Sequence, residues 1–140
     1  MAKPIAPAKG IAFAFPDVCL TPAPPSPSPI PIPYPNIAQL ADASPVSDER
    51  GKELLVGPSG DHVLLKDSTI SQSSGDEAGS SGGVTSGVTK GECKLVQGSA
   101  TVLYGPNGAG LVRSLDQTTQ NKGNAVGVVL SALPTVLVGD

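Results

Sequence analysis

The sequence predicts a mostly β protein, and three observations carry that prediction. Short Val- and Leu-rich runs recur beyond residue 50, separated by Gly, Ser or Asn. Two of them flank matching turns, Gly57-Pro58-Ser59-Gly60 and Gly105-Pro106-Asn107-Gly108, in which proline presets one turn position and glycine accepts the positive φ of another. The chain also carries 17 Gly and 15 Pro in 140 residues with 3% aromatics and no Trp, a composition that favours turns and thin packing over long helices and a thick core. At this length residues 1–140 read as a single domain.

The elements follow in chain order. Lys3 and Lys9 precede only a short apolar run, Ile11 to Phe15, which is too short for a secretion signal, so synthesis without a signal peptide is expected. From Pro22 to Pro35 proline fills eight of fourteen positions, and the segment must be extended. Alternation puts Pro29, Pro31, Pro33 and Pro35 on one side and Ile30, Ile32 and Tyr34 on the other, as expected of a packed edge strand. A solvated adaptor segment recognised by a partner domain is the alternative reading. After Asn36 the residues IAQLADA suit one or two helical turns with Asn36 as cap, or an extended continuation.

Strands are expected at Glu53–Val56, His62–Lys66, Cys93–Val96, Thr101–Tyr104, Leu111–Leu115 and Val126–Leu130. The two Gly-Pro turns make two β-hairpins and hint at internal pseudo-symmetry. Ser68 to Gly91, rich in Gly and Ser, suits either a linker or a narrow structure in which strands approach closely. The tail Ala125–Val138 is too short to span a membrane as a helix and reads as a last pair of strands hinged at Pro134.

The chemistry on offer is sparse. A formal net charge of −3 lacks the basic footprint of a nucleic-acid binder. One histidine, His62, and two cysteines, Cys19 and Cys93, make a thin catalytic inventory, and no spacing joins Cys19 to His62 as nucleophile and base. Adjacent Asp76 and Glu77 would point to opposite faces of an extended chain, so Asp76 is expected to bind backbone N–H groups in a turn. Gly105 to Gly110 lacks the Lys and Ser/Thr of a phosphate loop. A zinc site would have to borrow a carboxylate to complete Cys19, His62 and Cys93.

Three segments together carry a resemblance: Phe15-Pro16-Asp17-Val18-Cys19 with Thr21-Pro22; Pro31-Ile32-Pro33-Tyr34-Pro35-Asn36; and Ser73-Ser74-Gly75-Asp76-Glu77-Ala78-Gly79 leading into Gly82-Gly83-Val84 and Ser86-Gly87. Their order resembles the PAAR-like family with a proline-rich N-terminal signature, found at the spike tips of contractile injection systems such as type VI secretion and phage-tail-like particles. The match covers about residues 11–121 and leaves 122–140 as an apolar C-terminal extension, so no fused toxin domain is expected.

The resemblance implies a small conical β-structure, made in the bacterial cytoplasm, that caps a trimeric VgrG-type spike with one copy per trimer. It further implies transient contact with a target membrane and non-covalent attachment of any effector cargo, and with the sparse catalytic inventory and the charge above, neither enzymatic activity nor a nucleic-acid partner is expected. Interface and scaffold roles fall to Pro16, Asp17, Cys19, Pro33, Tyr34, Pro35 and Asn36, with Gly75 and Asp76 shaping a turn. PAAR proteins in the narrower sense hold zinc with several histidines and a cysteine. Here Gln120 stands where relatives of this type carry a histidine, in Asp116-Gln117-Thr118-Thr119-Gln120-Asn121, so no cofactor is expected.

Overall fold

The computed structural model describes residues 2–22, 27–43, 55–58, 61–104 and 108–139, without the side chains of Leu55 and Asp61. Its strands are β1 (Lys3–Ile5), β2 (Ile11–Thr21), β3 (Ile30–Gln39), β4 (Leu55–Val56), β5 (Asp61–His62) and β6 (Thr69–Ile70), followed by β7 (Cys93–Leu95), β8 (Leu103–Tyr104), β9 (Ala109–Gly110), β10 (Gln117–Gln120), β11 (Ala125–Leu130) and β12 (Leu133–Val138). The mostly β class of short strands and hairpins expected from the sequence is what the chain adopts. A six-stranded antiparallel sheet runs β3-β2-β11-β10-β7-β6, and three two-stranded ribbons, β1-β12, β4-β5 and β8-β9, lie outside it. The two ends of the sheet meet: Ile37 N–H donates to the Ser74 carbonyl at 2.7 Å, and Ser74 N–H returns the bond at 2.8 Å. Ser74 follows β6, so these bonds join the outer edge of β3 to the far side of the sheet.

The prolines of β3 fit this edge. Leu20 N–H donates to Gly82 O and Val18 O accepts from Val84 N–H, so both β2 residues turn their main-chain groups away from β3. Their partners Pro31 and Pro33 therefore form non-hydrogen-bonded pairs whose ring nitrogens face outward, and the missing N–H groups cost the ladder nothing. Ile32 and Tyr34 are half-buried on the packed side, whereas Ile30, at the start of the strand, is 41% exposed. Residues 23–26, part of the proline-rich run, lie outside the described residues. So do residues 53 and 54 of the first expected hairpin and the turn residues 59, 60 and 105–107.

Several expectations are corrected. Of the two readings of the residues after Asn36 the extended continuation holds and the helix does not: Asn36, Ala38 and Leu40 are buried with period two, so β3 continues to Gln39 and only Leu40–Asp42 form a 3-10 turn. The tail breaks at residues 131–132, not at Pro134, and its halves do not pair with each other; β11 enters the large sheet while β12 pairs with β1. Residues 122–139 are accordingly built into the fold instead of extending from it. Four strands are absent from the sequence expectations: the short β1 and β6, β2, which runs through Pro16 by a register shift between Ala14 and Asp17, and the polar β10.

Small side chains fill the interior, as a narrow closed sheet requires. One cluster gathers Ala6, Ala12, Ala38, Cys93, Val112 and Val129 around Leu40, Leu64, Ile70 and Leu95. A second, among the ribbons, consists of Ile5, Val63, Leu65, Leu111 and Val138, flanked by Val56, Tyr104 and Leu133.

Candidate functional site

Three chain segments form a closed ring between the two clusters. They are Ile5-Ala6-Pro7, Val63-Leu64-Leu65 and Leu111-Val112-Arg113, and the last residue of each bridges the first of the next: Pro7 with Val63, Leu65 with Leu111, and Arg113 with Ile5. The residue after each triplet donates its N–H to the carbonyl of the residue before the next. Ala8 bonds His62 O, Lys66 bonds Gly110 O and Ser114 bonds Pro4 O, each at 2.8 Å. The middle residues Ala6, Leu64 and Val112 enter the first apolar cluster, while Ile5, Val63 and Leu111 enter the second.

The surroundings repeat as well. Each triplet is preceded by one strand of a ribbon, β1, β5 or β9, and followed by a turn and the first strand of a hairpin in the large sheet: β2-β3, β6-β7 or β10-β11. The turns each hold one left-handed residue, Gly10 at φ 88°, Asp67 at φ 71° and Leu115 at φ 66°. The chain is thus a triple repeat with one copy split between its ends, since β1 and β12 supply the third ribbon.

That split ribbon has no turn to join its strands, and an ionic cluster ties it instead. Arg113 stands where the other repeats have Pro7 and Leu65. Its Nε and Nη2 donate to the Asp116 carboxylate at 3.1 and 3.2 Å, and Lys3 Nζ reaches the same carboxylate at 3.1 Å. Ser99 Oγ donates to the Gly139 carbonyl at 2.6 Å, fastening the end of β12.

A second constellation lies inside the β2–β3 hairpin. Asp17, Cys19, Asn36 and Asp76 are each fully buried. The amides of Asn36, Asn121 and Asn124 all donate to the Asp17 carboxylate, the first two at 3.0 and 3.2 Å. Asp76 accepts Lys90 N–H at 3.1 Å, and Cys19 Sγ lies 3.6 Å from Asp17 Oδ1 and 3.8 Å from Asp76 Oδ2. Gln120 Nε2 donates to Asn36 Oδ1 at 2.7 Å, Thr118 Oγ1 to Gln120 Oε1 at 2.8 Å, and Asn36 Nδ2 to Ser73 Oγ at 2.9 Å. These bonds fasten the loop 73–91 to β2, β3 and the β10–β11 turn, and they satisfy polar groups that would otherwise be costly to bury. Gly79 and Gly83 line this cage because a Cβ would strike Cys19 at the first and Asn124 at the second.

The electrostatics follow from burial. Burial, the hydrogen bond to Asp17 and its charge push Asp76 up to about 6. Burial also raises Asp17, but hydrogen bonds from Asp76, Asn124, Asn121 and Cys19 outweigh it and hold Asp17 below its ordinary value. Burial, reinforced by both carboxylates, pushes the Cys19 thiol up to about 12, and burial does the same for Cys93.

The sequence profile of the Toxin PAAR-like domain matches residues 10–127. The chain belongs to the toxin PAAR-like family. Comparison with curated proteins and with solved structures gives no match. Residues 1–9 and 128–140, outside the match, include those that make the third ribbon and the end of β11.

Within this PAAR-like chain the residues singled out from the sequence divide into two groups. Asp17, Cys19, Asn36 and Asp76 come together in the cage, where no partner can touch them, so their role is internal. Pro16, Pro33 and Pro35 belong to the surface of β2 and β3, and Tyr34 is half-buried with its hydroxyl 2.7 Å from Thr21 Oγ1. Gly75, at φ 112°, tolerates no Cβ against the Pro35 carbonyl. Asp76 closes a turn with its carbonyl, which accepts Gly79 N–H at 2.9 Å, but its carboxylate reaches Lys90, fourteen residues on. Exposed Glu77 caps Gly75 N–H.

Sequence reasoning missed Ser73, Thr118, Asn121 and Asn124, and read Gln120 only as a departure from the family pattern. Among the described residues, Asp17, Cys19 and Asp76 are the set whose ligand atoms lie within 4.8 Å of one another. They do not fit the zinc of the narrower PAAR group. His62, the chain's one imidazole, is exposed on β5, and three amide N–H groups already occupy Asp17.

Proposed function

We propose that this PAAR-like protein is a non-enzymatic spike tip of a contractile injection system, seating as one copy on a trimeric, β-rich spike of the VgrG type and sharpening it for membrane puncture. The threefold ring carries the proposal. A single chain can match a threefold partner over its whole base only if the chain presents three similar edges, and the three ribbons with their shared bridge pattern are such edges. Leu103 in β8 and Leu137 in β12 expose apolar side chains at 54% and 62% on two of these ribbons.

The remaining features suit a mechanical part. The sheet closes on itself through Ile37 and Ser74, the earlier part of the β3 edge carries the outward prolines Pro31 and Pro33, and the cage fastens the longest loop. Absence of catalysis is part of the proposal: the Cys19 thiol is buried and held protonated, and both cage carboxylates lie beyond the reach of a substrate. Phe15, Val126 and Leu130 on the outer face of β2 and β11 offer an apolar surface for non-covalent cargo. Synthesis in the bacterial cytoplasm, followed by assembly at the spike and delivery outward, completes the proposal. The proline-rich adaptor alternative sits poorly with residues 30–34, which pair in register with β2.

Pull-down with a cognate spike trimer tests the seating. Leu103→Glu and Leu137→Glu are expected to abolish retention, whereas Ile30→Glu, far from the ribbons in sequence, should retain it. Loss with Ile30→Glu alone would refute the seating face.

A further inference from the structure

We infer that the interior of the β2–β3 hairpin is held by one proton shared between Asp17 and Asp76, and not by a metal ion. The donor set is the reason. Two buried carboxylates within 4.8 Å of each other bring two potential negative charges, and the cage around them is built of uncharged donors: the amides of Asn36, Asn121 and Asn124 on Asp17, and Lys90 N–H on Asp76. Such a cage stabilises one negative charge. It leaves the second carboxylate to be neutralised by a proton, because like charges at this separation cannot both ionise in a buried site. A cation placed among Asp17, Cys19 and Asp76 would face the positive ends of the amide dipoles and would have to displace them from Asp17.

The opposite displacements of the two groups, Asp76 up to about 6 and Asp17 below its ordinary value, agree with a single proton residing on Asp76. Among the described residues, other charged groups stay outside. Glu77, Glu92 and Lys122 are not buried, and Lys90, whose main-chain N–H reaches Asp76, also lines a groove with Asp42. From β3 and the β10–β11 turn only the neutral Asn36, Asn121 and Asn124 enter the cage. Cys19, its thiol protonated, adds no charge.

The proton acts as a latch on the loop 73–91. Because Asp76 is raised in the folded chain, its contribution to stability is complete below the unfolded value of about 3.9 and is lost as pH rises through about 6. Asp17 acts in the opposite sense: its contribution is present above that unfolded value and is lost only as pH falls through its lowered folded value. The cage is therefore tightest in mildly acid solution and needs no metal supply.

The test combines metal content with melting. Protein purified without chelator is assayed for zinc by mass spectrometry and melted with and without EDTA. The wild type and the variants Asp76→Asn and Asp17→Asn are then melted between pH 5 and 7.5. Expected are no stoichiometric zinc, no effect of EDTA, and a fall of roughly 5 °C in the wild-type midpoint over that range, which Asp76→Asn removes. One zinc per chain with a lower midpoint in EDTA, or an Asp76→Asn variant that keeps the fall, would overturn the inference. Should Asp76→Asn fail to fold, carbon-13 titration of the wild-type carboxyls decides. One aspartate with a midpoint of about 6 is expected; no carboxyl titrating between pH 5 and 7 overturns it.

Discussion

Ala8 donates its main-chain N–H to the His62 carbonyl at 2.8 Å, and the bond recurs with the same length between Lys66 and Gly110 and between Ser114 and Pro4. Three equal bonds between segments so distant in sequence make the ring one cooperative unit. Each joins the exit of one repeat to the entrance of the next, so damage to one repeat is expected to loosen all three.

Leu64→Ala tests that cooperativity. Leu64 is buried in the first cluster at the centre of its triplet, and truncation there should cost about 2–5 kcal/mol, seen as a single lowered transition in chemical denaturation. Two separate transitions would show that the repeats unfold independently.

Deletion of residues 133–140 removes one edge of the ring although it touches nothing in the family match. The shortened chain is expected to lose its cooperative melt, because Val138 leaves the second cluster and β1 loses its ladder partner. A stable, folded truncation would show that two ribbons suffice.

Arg113→Ala leaves the buried Asp116 carboxylate with Lys3 as its remaining cationic partner among the described residues. Breaking a buried pair from one side costs about 3–5 kcal/mol, so a strong fall in unfolding free energy is expected. Arg113→Met paired with Asp116→Asn should recover part of it, since apolar residues fit the positions equivalent to Arg113 in the other repeats and the amide oxygen can still accept the Arg113 main-chain N–H. Failure of the double variant to exceed the single one would argue against an internal, replaceable clasp.

Both thiols should resist modification in the native protein. Cys19 and Cys93 are free, buried and pushed up to about 12, so thiol reagents at about pH 8 are expected to label neither until denaturant is added, and then both. Rapid labelling of Cys19 in native protein would reopen a catalytic reading.

The prolines of β3 predict behaviour at the sheet edge. Pro31→Thr with Pro33→Thr would place two N–H donors on the outward edge without removing any ladder bond. Self-association is the expected result in size-exclusion chromatography. A strictly monomeric variant would mean that something other than missing donors guards this edge.

The ribbons β4-β5 and β8-β9 are legible in the sequence because Gly-Pro turns announce them locally. The third ribbon is not, since its strands come from opposite ends of the chain and no turn marks their meeting. For the same reason the sequence displays two hairpins where the structure holds three repeats. The strand β10, Gln117–Gln120, carries no apolar alternation: Thr118 and Gln120 are buried as hydrogen-bonding partners, and polar residues in a strand read as surface. Asn36 reads as a helix cap because asparagine before an apolar run has that local meaning; its bonds to Asp17, Ser73 and Gln120 exist only after β2, β3 and the 73–91 loop assemble. Asp17, Cys19 and Asp76 stand out through family resemblance, yet nothing local reveals that Asn121 and Asn124 close over them.

Native mass spectrometry of the chain mixed with a cognate spike trimer is the most direct measurement of all. One chain per three spike subunits is the expected mass, unchanged when the chain is in excess. Three chains per trimer, or no association at any ratio, would contradict a pseudo-threefold cap.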